Sequence, residues 1–177
     1  NGSSVHCGPM TMTIDGAAER TFTCADAQVS PVTVTLEVED ALGNTDSCTA
    51  DVTVVDDIGP TAVCQNVTVN LSSPTLTPAD IDNGSSVHCG PMTMTIDGAA
   101  ERTFTCADAQ VSPVTVTLEV EDALGNTDSC TADVTVVDDI GPTAVCRNTT
   151  VNLSSPTLTP ADIDNGSSVH CGPMTMT

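Results

Sequence analysis

Residues 113–122 read Pro-Val-Thr-Val-Thr-Leu-Glu-Val-Glu-Asp. Val114, Val116, Leu118 and Val120 fall on one side of this stretch, and Thr115, Thr117, Glu119 and Glu121 fall on the other. Strict alternation of this kind is the two-residue period of a strand with one apolar and one wet face. Residues 130–137 repeat the pattern and place Cys130, Ala132, Val134 and Val136 inward. Residues 92–96, 67–71 and 103–106 are shorter runs of the same type, set apart by Gly, Pro, Asn and Asp. No segment carries a 3.6-residue period, and residues 78–81 have room for one helical turn at most. The pattern predicts an all-β sandwich of short strands.

Outward from these strands, the sequence repeats itself. Asn-Gly-Ser-Ser-Val-His-Cys-Gly-Pro begins at Asn1, Asn83 and Asn165, a period of 82 residues. Residues 1–95 overlay 83–177 with two differences, Gln65 against Arg147 and Val67 against Thr149. Common solenoid repeats run about 20–50 residues, so this period suits one small domain per repeat. The most linker-like stretch is Asp56-Asp57-Ile58-Gly59-Pro60, which recurs as Asp138-Asp139-Ile140-Gly141-Pro142. Gly-Pro punctuates the chain there, because proline cannot continue a ladder. This framing predicts one complete repeat over 60–141, the back of a preceding repeat over 1–59 and the front of a following one over 142–177, an excerpt from a longer array.

Composition narrows the function. Twenty-four acidic residues stand against three arginines and no lysine, a net charge of −21, or about −10 or −11 per repeat. Such a surface repels nucleic acid and anionic lipid, so neither is an expected partner. The absence of lysine removes Schiff-base chemistry and any P-loop. The chain has two phenylalanines and no tryptophan or tyrosine, which leaves no aromatic platform for sugars or bases. No apolar run approaches the ~18 residues of a membrane span. Serines and threonines abound, but no Gly-x-Ser-x-Gly elbow or Ser/His/Asp constellation accompanies them. No enzyme is expected.

Nine cysteines in 177 residues point to an oxidising, extracellular or cell-surface setting. A repeat of this size buries a small core, and disulfides are the usual remedy. Cys64, Cys89, Cys106 and Cys130 allow three connectivities. The favoured one joins the first strand to the last through Cys64–Cys130 and closes a smaller loop through Cys89–Cys106, with Cys7–Cys24 as its counterpart in the preceding repeat. Cys48, Cys146 and Cys171 are then left with partners outside the 177 residues or in a neighbouring chain.

Thr61-Ala62-Val63-Cys64 after Asp-Asp-Ile-Gly-Pro, Asp80-Ile81-Asp82-Asn83-Gly84, and the run from Val120 to Cys130 through Asp122-Ala123-Leu124-Gly125-Asn126 together resemble the hyalin (HYR) repeat. The closer likeness is to HYR-like, immunoglobulin-fold repeats of large bacterial surface and secreted proteins. The resemblance covers the whole 82-residue unit. It implies a tandem, disulfide-stapled array of immunoglobulin-like sandwiches with a role in adhesion or extracellular architecture and no catalytic residues. It also implies pairing of the first cysteine with the one after the Gly-Asn turn, which agrees with Cys64–Cys130. The basic HYR pattern lacks Cys89 and Cys106.

The carboxylates are the main chemical resource. Calcium takes six to eight hard oxygens, and three acidic segments are expected to converge near the ends of each repeat. They are Asp56 with Asp57 (Asp138 with Asp139), Asp40 with Asn44 (Asp122 with Asn126), and Asp80, Asp82 and Asn83 (Asp162 and Asp164 in the next copy). An arrangement of this kind is similar to cadherin-like linkers, in which interdomain calcium stiffens a chain of sandwiches. The plainer account makes these acids ordinary turn residues. His6, His88 and His170 each precede a cysteine and read as loop residues. Met92 and Met94 alternate with threonine and read as core. Asn66, Asn70, Asn83, Asn148 and Asn152 head Asn-x-Ser/Thr sequons, as do Asn1 and Asn165. The expected function is a structural stalk, fibre or filament whose partners are copies of itself. The alternative is an adhesin module that grips a receptor, polysaccharide or mineral through its acidic loops.

Overall fold

The structure, a computed structural model, describes residues 8–175. They gather into two compact units. One holds residues 8–60 with Ser86–Thr93 and Glu121–Thr127, and the other holds Thr61–Ser85, Met94–Val120 and residues 128–175. The tip loops of the middle repeat therefore cluster with the residues that precede that repeat.

In the first unit, β1 (Thr11–Ile14), the short helix α1 (Cys24–Gln28), β2 (Val32–Glu39) and β3 (Thr45–Val52) follow one another. The strands form an antiparallel sheet in the order β1-β2-β3, with Thr11 opposite Glu39 and Leu36 opposite Cys48. Asp40 closes the β2–β3 hairpin by accepting from the amides of Leu42 (2.8 Å) and Asn44 (2.9 Å) and from Asn44 Nδ2 (2.8 Å).

The second unit contains most of residues 61–137. Its elements are β4 (Val67–Asn70), β5 (Thr75–Leu76), α2 (Pro78–Ile81), β6 (Thr93–Ile96), β7 (Arg102–Thr103), α3 (Cys106–Gln110), β8 (Val114–Glu121) and β9 (Thr127–Val137), followed by α4 (Pro160–Ile163). The main sheet runs β4-β9-β8-β6, and β5 pairs with β7 in a second, smaller sheet. β4 lies parallel to β9, with Val67 opposite Val134 and Val69 opposite Val136. The repeat is an all-β, immunoglobulin-like sandwich. Its core comprises Val116, Leu118 and Val120 of β8 and Ala132, Val134 and Val136 of β9, met by Val69, Leu71, Leu76, Ile81, Ile96 and Phe104. The alternation seen in the sequence is thus the inward face of the sheet. Cys64, just before β4, is bonded to Cys130 of β9 across a separation of 66 residues. Constraining a loop of that length in the unfolded chain stabilises the fold by about 4 kcal/mol.

The structure departs from the strand expected over residues 103–106. β7 ends at Thr103, and Cys106 opens α3. The cause is local capping. Asp108 Oδ2 accepts from both the amide and the hydroxyl of Thr105, each at 2.8 Å, which satisfies groups that a helix start would otherwise leave unpaired. The same Thr-x-x-Asp device starts α1 from Thr23, α2 from Thr77 and α4 from Thr159, and α2 and α4 add a favourable proline at the first position.

Candidate functional site

The site lies inside the first compact unit. Two segments far apart in sequence build it: the end of the preceding repeat with its linker, and the His88-Cys89-Gly90 loop of the middle repeat. Here the second and third disulfides differ from the pairings expected. Cys24 is bonded to Cys89 and Cys106 to Cys171, each across 65 residues and each within one compact unit. Cys89–Cys106 does not form, and Cys7 lies outside the described residues. The physical reason is placement. The first turn of α1 carries Cys24 to a Cα–Cα distance of 5.3 Å from Cys89, inside the span that a disulfide requires. Cys171, expected to lack a partner, is bonded for the same reason at the N-terminus of α3. Cys48 and Cys146 are free and exposed.

Polar contacts reinforce the first joint. His88 Nδ1 lies 3.0 Å from Asp56 Oδ1, and Asn126 Nδ2 donates to the Asp56 carbonyl at 3.4 Å. The Ala123 amide donates to the Cys89 carbonyl at 3.3 Å. Gly90 is required twice over at this contact. Its φ of +77° is left-handed, and a Cβ there would sit 2.2 Å from Ala123 Cβ. An open cavity of about 350 Å³ adjoins the disulfide, lined by Phe22, Val55, Asp56, Ile58, His88 and Cys89 among others. The Asp56 side chain is 2% exposed, and its Oδ2 is buried with no hydrogen-bond partner. A second joint repeats the geometry within the other unit, where His170 Nδ1 lies 3.0 Å from Asp138 Oδ1 beside Cys106–Cys171.

The candidate calcium ligands are mostly engaged in turns and caps. Asp122 accepts from Leu124, Asn126 and Asn126 Nδ2, as Asp40 does in its own hairpin. Burial of Asp122 works to raise its pKa, but these bonds, led by the Asn126 side chain, outweigh it and hold the carboxyl below its ordinary value. Asp80 accepts from the Thr77 hydroxyl and amide, and Asp162 from Thr159, which lowers both pKa values. Asp82 and Asp164 accept from Ser85 and Ser167, with the same effect. The Asn83 amide donates to Val63, and Asp139 accepts from Ser72. Asp57 lines the joint cavity beside Asp56. The linker and the Asp122–Asn126 turn do meet, through Asn126 and the Asp56 carbonyl. Among the described residues, the close groups of three potential metal-ligating side chains are of another kind: Cys24, His88 and Cys89, and again Cys106, His170 and Cys171. Sequence reasoning treated the histidines as loop residues. The 32-residue offset between each histidine and the linker aspartate repeats only because the whole chain repeats every 82 residues, so the sequence carried no separate signal for this contact.

No protein-family model matches the chain, and no curated protein matches it. Among solved structures, the chain is similar to the extracellular domain of protocadherin gamma B4 (13% identity, TM-score 0.37), covering 81% of this chain and 27% of that one. It is also similar to protocadherin gamma B7 EC3-6, solved as a cis-dimer (15%, 0.34, covering 82% and 46%). A third similar structure is that of protocadherin gamma B2 extracellular cadherin domains 1–5 (12%, 0.36, covering 84% and 35%). The chain thus spans less than half the length of each of these chains.

Proposed function

We propose that the chain is an extracellular structural element in which tandem sandwiches form a stiff stalk or fibre. The observation that carries this reading is the pair of inter-repeat disulfides, Cys24–Cys89 and Cys106–Cys171, set at the same offset in successive repeats. A bridge beside the linker, added to the peptide connection, removes the hinge that a flexible Gly-Pro linker would otherwise give. Three disulfides also favour an oxidising compartment outside the cytosol. The resemblance to HYR-like repeats agrees with this role, and copies of the same repeat are the proposed partners along the fibre.

The test replaces Cys24, Cys89, Cys106 and Cys171 with serine and compares small-angle scattering with that of the parent. A variant that retains its β circular dichroism but shows a broader range of interrepeat distances supports the reading. Identical scattering refutes it. Calcium at the joint is a second reading, favoured by the unpartnered Asp56 Oδ2. A fall in the melting temperature of the oxidised protein in EDTA measures that contribution.

A further inference from the structure

We propose that residues 143–158 of one copy of this chain dock on the free edge of β3 in a second copy, where Cys146 of the first is bonded to Cys48 of the second. The inference rests on the fibre reading and adds to it a junction between separate chains.

The acceptor is a sheet with one strand fewer than its counterpart. β1, β2 and β3 repeat β6, β8 and β9 at the 82-residue offset, and the order β1-β2-β3 matches β6-β8-β9. In the second unit β4 lies along the outer edge of β9, pairing residues 67–70 with 134–137. β3 has no such neighbour among the described residues, and it stops at Val52, whereas β9 runs on to Val137. The residues by which β9 pairs with β4 are thus the counterparts of 52–55, where β3 breaks off. An unpaired edge leaves backbone donors and acceptors that an added strand satisfies. The apolar face behind this edge, with Leu36 and Val38, is only half covered.

The strand that fits this edge is present in the chain. Residues 149–152 are the counterpart of β4, yet they form no strand. Val151, Leu153 and Leu158 are exposed, where Val69, Leu71 and Leu76 are buried. The segment around them is nevertheless shaped as in the second unit's sandwich. The Arg147 amide donates to the Ile163 carbonyl and the Asn165 amide to the Val145 carbonyl, each at 2.8 Å, as Gln65 and Asn83 donate to Ile81 and Val63. Docking such a preformed segment costs little further ordering. Residues 143–165 carry Asp162, Asp164 and Arg147, a net charge of −1, so they bring little of the chain's acidity against β2 and β3.

The contacts to be made are those already formed between 61–76 and β9. Cys64 is bonded to Cys130, the Ala62 amide donates to Asp128 at 2.8 Å, the Leu71 amide donates to the Val137 carbonyl at 2.9 Å, and Asn66 accepts from the Asp133 amide at 2.8 Å. Their counterparts are Cys146 with Cys48, Ala144 with Asp46, Leu153 with Val55, and Asn148 with Asp51. Cys48 and Cys146 are free and exposed. As the S–S bond forms, the two thiols lose two protons and two electrons, and a small-molecule disulfide takes them up and leaves as two thiols. The donor and acceptor surfaces differ, so each added copy presents a fresh pair of them, and assembly continues head to tail. In dilute solution both surfaces stay open.

The experiment prepares the full chain as Cys48→Ser and as Cys146→Ser and oxidises each with glutathione disulfide, alone and in an equimolar mixture. Each variant alone should stay monomeric on a nonreducing gel. The mixture should give a covalent dimer in which mass spectrometry maps Cys146 of one chain to Cys48 of the other, and the parent should give a ladder that lengthens with concentration. Leu153→Asp, placed in the Cys48→Ser chain at an exposed position, should keep the circular dichroism and cut the dimer yield about tenfold or more, because burial of one leucine is worth at least that factor. Dimers from either variant alone would show indiscriminate thiol pairing and overturn the proposal. So would a mixture that stays monomeric, a yield unmoved by Leu153→Asp, or a parent that closes Cys48 on Cys146 within one chain. Cys24, Cys89, Cys106 and Cys171 are unchanged in all these variants, so such a failure leaves the scattering test of the stalk reading to stand or fall by itself.

Discussion

β2 and β8 have the same sequence, Val-Thr-Val-Thr-Leu-Glu-Val-Glu, yet they are packed differently. In β8, Val116, Leu118 and Val120 are fully buried, whereas in β2 only Val34 is buried, and Leu36 and Val38 stay half-exposed. β3 and β9 differ in the same way: Ala132 and Val134 are buried, while their counterparts Ala50 and Val52 are not. The middle repeat has β4, β5 and α2 to supply Val69, Leu71, Leu76 and Ile81. Among the described residues, 8–60 contain no counterpart of these elements. The converse holds over residues 142–175, where Leu153 is 94% exposed and its counterpart Leu71 is 6% exposed. Local sequence forms the hairpin in both places, but the core is a non-local product of the first strand meeting the last. This agrees with the small contribution of intrinsic propensity to sheet stability relative to packing.

The largest test of this difference is the bridge. Replacing Cys64 and Cys130 with alanine should cost the middle repeat about 4 kcal/mol, read as a lower denaturant midpoint. Cys48→Ala, at the equivalent position of β3, should change it by less than ~0.5 kcal/mol. Next comes the core. Leu118→Ala should destabilise by about 2–5 kcal/mol, and Leu36→Ala, the same change in the same local sequence, by under ~1 kcal/mol. Equal effects would show that the two regions are packed alike in solution.

The smallest effect is titration of the hairpin turns, which sharpens the contrast by being common to both. Asp40 and Asp122 have pKa values lowered from 3.8, the first chiefly by the Asn44 side chain and the second by the Asn126 bonds that outweigh burial. A carboxyl with a depressed folded pKa contributes its stabilisation above the unfolded value of 3.8 and loses it as pH falls through the lower folded value. Melting temperature should therefore decline below about pH 4. Asp40→Asn and Asp122→Asn should each flatten that decline, and by similar amounts.

Much of the fold was legible because strand alternation is local and the 82-residue period is carried by nearly every residue. Val116, Leu118, Ala132 and Val134 lie inward as their spacing required. The one-turn helices were harder to see. Thr105-Cys106-Ala107-Asp108 is a capping box too short to show a period, so Cys106 read as the end of a strand. The joint disulfides were hidden for a different reason. Cys24 and Cys89 stand 65 residues apart and become neighbours only once the first compact unit has formed, and no local period encodes that. His88 and Asp56 were visible as residue types, but their partnership depends on the same folding.

The three bridges also overlap along the chain. The ring closed by Cys24–Cys89 shares residues 64–89 with that closed by Cys64–Cys130, which shares residues 106–130 with that closed by Cys106–Cys171. Every peptide bond from Cys24 to Cys171 therefore lies inside at least one closed ring. A protease that cuts once anywhere in this span opens a ring without parting the chain, and a pulling load always has a second covalent route around the break.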